Sequence, residues 1–244
     1  MLTAHLRRGL VAGIVGGLVY GGFVTFVGNP LVAAAETFEA AHGGHGAGET
    51  VVSAATTATV SISASGLWGL LFGLVAFGVA YYLLEPVIPG GKGTKSYVLG
   101  AAGFLVVSGA PWLVLPPQPP ATEQALGTDA RLVWYAGMML AGAVAVGLSW
   151  LAVDRTRERG RGQRLLAGLA PFALLAVPVL LAPANPTHGP VPAALATAFR
   201  GTVVFGQLAL WGTLATTHAW LVQHGTDDTT ATLSTDDPRG YGAD

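Results

Sequence analysis

The sequence predicts an all-α fold: a polytopic transmembrane helical bundle of about six spans, with the N-terminus and the C-terminus both cytoplasmic. Three observations carry this expectation. The chain of 244 residues is 52% hydrophobic yet only 10% charged, where a soluble domain carries roughly a quarter charged residues. Its apolar runs are about 20 residues long, the length that crosses a hydrocarbon core. Its charges gather in short clusters between those runs, as they must when a charge at mid-depth costs on the order of 3 kcal/mol. The 35 glycines and 15 prolines would mark disorder in a polar chain. In an apolar one they suit close helix packing and kinked spans.

The first span is expected over Gly9 to Gly28, the second over about Ile62 to Leu84, and the third over about Tyr97 to Leu115. The fourth covers about Leu132 to Val153 and the fifth about Leu165 to Ala182. The last apolar stretch, Ala193 to Val222, exceeds what a bilayer needs, so its first part reads as interfacial and the span proper begins near Arg200. Cations set the orientation. Arg7 and Arg8, then Lys92 and Lys95, then Arg155, Arg157, Arg159, Arg161 and Arg164 all fall on one side of a six-span path. The other side has Arg131, with Arg200 at its boundary. The cation-rich side is therefore inside, and the multi-pass protein belongs in the cell membrane.

The N-terminal stretch also has features of a secretory signal, with Arg7-Arg8, an apolar run and a small-residue site at Ala33-Ala34-Ala35. That run is longer than a signal core, and its removal would leave five spans. Residues 1–224 thus form the bundle, and residues 225–244 form a disordered tail. There Asp227, Asp228, Asp236, Asp237 and Asp244 face one cation, Arg239, and few apolar residues are available to fold them.

Glycines at 9, 13, 17 and 21 form a small-residue ridge on the first span, along which another backbone can approach closely. Pro111, Pro171 and Pro178 remove helix hydrogen bonds within the third and fifth spans. Gly90-Gly91-Lys92-Gly93-Thr94-Lys95-Ser96 looks like a phosphate-binding loop, but no Gly-Lys pair is followed by Ser or Thr at the required spacing. There is no cysteine, which excludes disulfides, thiolate metal sites and cysteine nucleophiles. Nucleophile-elbow and zinc-helix motifs are also lacking, so no enzyme activity, bound cofactor or nucleic-acid partner is expected.

Two groups of residues carry possible chemistry. The outer loop, 29–61, opens with Asn29-Pro30, a combination that starts helices with Asn as N-cap and Pro in the first turn. On the short interfacial helix that follows, Glu36 and Glu39 share a side with His42 at its edge, and Gly43-Gly44 precede His45. Glu36, Glu39, His42 and His45 are three residues apart in succession, and two carboxylates with two imidazoles suit a borderline divalent cation. The same spacing also fits a solvated polar loop without function. The second group lies on the last span. Arg200, Gln207 and His218, seven and eleven residues apart, fall within roughly 20° of one another along about 27 Å of helix. Such a line either faces the bundle interior, where it would border a pathway, or consists of two residues snorkelling to opposite interfaces around an interhelical Gln207.

At these residues the sequence resembles the CbtA family, probable cobalt transporter subunits. The match is carried by Asn29-Pro30-Leu31 through Glu36-Thr37-Phe38-Glu39 with the nearby histidines. It continues in Gly109-Ala110-Pro111-Trp112-Leu113-Val114-Leu115-Pro116-Pro117-Gln118-Pro119-Pro120 and in Trp134-Tyr135. Beyond the fourth span it is mainly one of hydropathy. The resemblance implies cobalt uptake for cobalamin biosynthesis, a bundle of about five spans, and a small histidine-bearing membrane partner of the CbtB type. It favours metal binding by Glu36, Glu39, His42 and His45, with a divalent ion, cobalt, as the bound or transported species. Membrane lipid and further copies of the chain are the other expected partners. The competing reading is a non-transporting scaffold or accessory protein whose outer loop binds metal or a partner for a separate permease.

Overall fold

A computed structural model describes residues 2–41, 54–120 and 122–225. Within them the chain forms six long helices. The first, α1 (residues 2–41), joins Leu2–Phe23, a π-helical segment Val24–Gly28 and Asn29–Ala41 without a break. The second, α2 (residues 54–84), likewise contains a π segment, Gly73–Ala80. A turn with Gly90 at φ 107° leads into α3 (residues 92–112), whose π segment is Leu105–Gly109. Then come α4 (Thr128–Arg155), α5 (residues 161–181, tightened to 3-10 over Ala170–Leu175) and α6 (Ala193–His224). Five of these, all but α3, are long and apolar enough as helices to cross a membrane.

The sixth span is α3, and its contacts put its two ends on opposite faces. At one end Lys95 Nζ donates to Glu85 O at 2.6 Å, Ser96 bonds His218, and Gly93 lies against Gln223. The same face holds His5, paired with Glu85 at 3.3 Å, and Arg8, which packs beside Gly225. At the other end the chain leaving α3 meets Arg200 of α6. There β1 (Glu123–Gln124) also pairs antiparallel with β2 (Thr187–His188), tying the loop after α3 to the loop after α5. Both chain ends of the bundle therefore lie on one face, as an even number of spans requires.

The glycine ridge of α1 packs against α2 of the same chain. A Cβ on Gly13 would stand 2.6 Å from Gly69 O, and one on Gly17 2.9 Å from Ser65 O. Gly73 and Gly69 present the same lack of side chain from the other direction, so two backbones meet with nothing between them. Around this seam α1, α2, α3 and α6 close one core, with Ala12, Phe77, Tyr81, Leu99, Leu210, Trp211, Leu214 and Ala215 buried together. A second, smaller core joins α3 to α4 and α5 through Ala110, Met138, Ala145 and Leu175. Hence α3 is the shared wall.

Asn29-Pro30 does not start a helix, contrary to the sequence reading. Asn29 is itself helical (φ −59°, ψ −40°), and its amide exchanges hydrogen bonds with Ser61 Oγ on α2 at 3.1 and 3.2 Å. The physical reason lies one turn earlier. Proline removes a donor and crowds the carbonyl four residues back, and the wide π turn Val24–Gly28 accommodates that crowding. The same device recurs in α3, where Leu105–Gly109 precedes Pro111. Both of these π segments end in glycine two residues before the proline, in Gly28-Asn29-Pro30 and Gly109-Ala110-Pro111, whereas Gly73–Ala80 in α2 has no such proline. In α3 the carbonyl that Pro111 leaves without its helical donor is Val107 O, four residues back, and Tyr135 OH of α4 donates to it at 2.5 Å. Ala193–His224 is one continuous helix, so the stretch before Arg200 and the span after it form a single element, and Arg200 bonds to the proline-rich loop.

Two outcomes follow from this packing. An added methyl favours a helix by about 1 kcal/mol over glycine. Gly22→Ala, with nothing within 4 Å of its Cβ, should therefore hold or raise the melting temperature in detergent. Gly13→Ala should lower it, despite the same propensity gain. Equal behaviour of the two variants would show that the seam is not a close contact. Tyr135→Phe should cost about 1–3 kcal/mol, the usual penalty for a buried carbonyl left unpaired. In a Pro111→Ala background, where residue 111 again has an N–H, the same change should cost clearly less. An identical cost in both backgrounds would mean that the hydroxyl does not replace the donor Pro111 lacks.

Candidate functional site

The acidic group lies in the last turns of α1, a helix longer than a bilayer requires. Forty helical residues at 1.5 Å each span about 60 Å, twice a hydrocarbon core of ~30 Å. The last turns of α1 therefore project as a rigid continuation of the first span. Ala35 is fully buried there, where this end of α1 packs beside α6. Glu36 is exposed, and Glu39 occupies the next turn of the same helix. His42 and His45 lie outside the described residues, so the geometry of the four-residue set is not defined by the structure. Among the described residues no cluster of three or more His, Asp or Glu side chains is arranged to hold a metal ion.

The three residues of α6 all meet partners on other elements. Arg200 donates through Nε to Pro117 O at 3.3 Å and through Nη2 to Gln118 Oε1 at 2.8 Å. It thereby fastens the proline-rich loop to the start of α6. Gln207, half-buried, donates to Tyr20 OH on α1 at 3.3 Å, and Ser108 of α3 lies 3.5 Å from its Oε1. His218 is 0% exposed. Its Nδ1 sits 2.9 Å from Ser96 Oγ, its ring packs edge-on to Tyr81 with centroids 4.5 Å apart, and Phe77 flanks it. Nε2 of His218 is buried without a hydrogen-bond partner among the described residues. The line thus carries a charged end at Arg200, a neutral amide and hydroxyl group midway, and an imidazole with one uncommitted nitrogen near the end that holds the N-terminus.

Several members of this arrangement carry no signal in the sequence. Ser96, Ser108 and Tyr20 are ordinary residues of apolar helices, and only the partner across the helix interface shows what each does. The same holds for the ribbon that sets Glu123 opposite His188. Two-residue strands are too short for an alternating pattern to mark them. Beside that ribbon lies a cavity of about 250 Å³ whose polar lining includes Gln118, Thr122, Thr187, His188 and Arg200.

The family model for the probable cobalt transporter subunit CbtA matches residues 2–223, which takes in all six helices. The chain belongs to the CbtA family. No curated protein and no solved structure matches it. As a CbtA chain it is a membrane protein and a transporter subunit, which implies at least one further component in the working transporter. The residues that distinguish this CbtA chain at sequence level have structural counterparts. Gly28-Asn29-Pro30 and Gly109-Ala110-Pro111 are the two π-turn prolines, Pro117-Gln118 is the loop held by Arg200, and Tyr135 serves the carbonyl of Val107.

Proposed function

We propose that this CbtA chain is the membrane-spanning subunit of a cobalt uptake system in the cell membrane, and that it captures the ion on its outer face through Glu36, Glu39, His42 and His45. The observation that carries this reading is the unbroken helix of α1. It holds the carboxylate-bearing turns beyond the hydrocarbon core on a rigid stalk rather than on a separate loop helix. A mixed carboxylate and imidazole set suits a borderline divalent ion, and the glycines at 43 and 44 allow His45 to turn back toward the acids. On the charge-derived orientation this end is external and both termini are internal. A small membrane partner of the CbtB type, supplying further histidine, completes the assembly, and self-association of the chain is compatible with it.

Beyond capture, the ion passes along the interior line of α6. Arg200 is not a ligand there, since a guanidinium repels a cation and its bonds to Pro117 and Gln118 suit a pin. Gln207, Tyr20 and Ser108 supply neutral oxygen donors midway, and the free Nε2 of His218 supplies a nitrogen near the inner end. Ligand preference alone does not select cobalt, because such donors bind nickel and copper more tightly. Selectivity therefore resides in geometry.

Ligation needs neutral imidazole, so protons compete with metal near the unperturbed histidine pKa of about 6.5. Cobalt binding to the purified protein is expected to hold above that pH and to weaken as pH falls through it. The His42→Ala, His45→Ala double variant should lose about 10–100-fold in affinity, and Glu36→Gln should weaken binding with no change in melting temperature. Calorimetry showing unchanged cobalt affinity in the double variant would remove the capture role from this segment.

A further inference from the structure

The cavity beside the two-residue ribbon lies on the face away from the N-terminus, at the mouth of the α6 line. It is enclosed by the loop after α3, the loop before α6 and the first turns of α6. Its volume of about 250 Å³ equals the share of roughly eight waters in the liquid, enough for a small organic acid. Arg200 lines the cavity and has no counter-ion among the described residues. Both of its described hydrogen bonds go to neutral oxygens, Pro117 O and Gln118 Oε1, and the ion pairs among the described residues, His5 with Glu85 and Arg157 with Asp154, lie elsewhere. Two neutral acceptors fix the guanidinium plane and leave its charge uncancelled. No ion pair among the described residues cancels this charge, and an anion in the cavity would supply the missing partner.

The rest of the lining agrees. With Gln118 Oε1 turned to Arg200, the Gln118 amide N–H groups remain as donors. Thr122 and Thr187 add hydroxyls, and His188 adds a ring N–H. Glu123 is directly opposite His188 in the ribbon, so its carboxylate lies on the His188 side, but it is not among the residues that line the cavity. A donor-rich pocket around a fixed, planar cation matches a carboxylate, which a guanidinium binds through two parallel hydrogen bonds. A bare divalent cation finds no seat there. Yet the pocket lies on the face where the metal is taken up.

We infer that this pocket binds the carboxylates of a small polycarboxylate chelator, so that the metal reaches the transporter as an organic-acid complex whose negative charge offsets that of Arg200. The identity of the cargo rests on the uptake reading above, whereas the anion site does not. Carboxylate oxygens are suitable donors for such a cation in water, and the complex carries the metal past a guanidinium that would repel the free ion.

The test is calorimetric titration of the full-length protein in lipid nanodiscs with metal-free citrate, followed by the one-to-one cobalt–citrate complex. Citrate should bind, and Arg200→Gln should weaken it by about 10–100-fold, the loss expected for a charge-assisted bond. Arg200→Lys should recover part of that loss. Because Arg200 also fastens the proline-rich loop, a second variant, Thr122→Val with His188→Ala, removes two donors without touching the fastening. It should weaken citrate several-fold at unchanged melting temperature. The inference is overturned if the wild-type protein does not bind citrate, if neither variant alters its affinity, or if inorganic phosphate or sulfate binds as tightly as citrate. The first titration, with metal-free citrate, contains no cobalt, so citrate binding that persists while cobalt capture fails counts against the capture residues alone.

Discussion

A bilayer offers no water to an unpaired polar group, and that constraint organises this protein more than hydrophobic burial does, since lipid is as apolar as the helices themselves. Where Pro111 and Pro171 interrupt their helices, a hydroxyl from another helix meets a nearby carbonyl. Pro111 leaves Val107 O without its helical donor, and Tyr135 of α4 supplies a hydroxyl. Near Pro171, where α5 tightens to 3-10, Ser149 of α4 donates to Gly168 O at 2.7 Å. Side chains also bond across helices, with Gln207 engaging α1 and α3 and His218 engaging Ser96. These bonds fix which helix lies beside which, and at what rotation. The unmet valence of His218 Nε2 and the uncancelled charge of Arg200 stand out because the rest of this line is satisfied.

Close packing supplies the second constraint. Where Gly13 and Gly17 of α1 meet Gly69 and Ser65 of α2, van der Waals contact between backbones replaces the hydrophobic drive that a soluble core would use. This seam holds α1 upright through the bundle, and the π turn at Val24–Gly28 lets the helix continue past Pro30. The turns bearing Glu36 and Glu39 continue a packed span without a break in the helix.

Much of this fold is legible in the sequence. Uncharged runs of bilayer length mark the spans, and the shared face of Arg200, Gln207 and His218 follows from helical periodicity. What periodicity gives is a direction, not a partner. Nothing in the order of residues says that Gln207 faces Tyr20, 187 positions earlier, or that Gly13 meets Gly69. The reading of Asn29-Pro30 as a helix start fails for a related reason. Proline at a first turn and proline after a π turn look alike locally, and only the packing of Asn29 onto Ser61 decides between them. The charge of Arg200 beside an apolar run likewise gives no hint of its hydrogen bonds to a distant loop.

The central claim is that this CbtA chain itself conducts the ion rather than only presenting it to another permease. Cobalt influx into sealed vesicles that contain this chain alone, followed by quenching of an enclosed metal-sensitive dye, tests that claim most directly. The account predicts saturable influx down a cobalt gradient, faster than in protein-free vesicles and reduced by replacing His218. Influx no faster than in empty vesicles, from protein that still binds cobalt, would contradict it and assign the chain to capture alone.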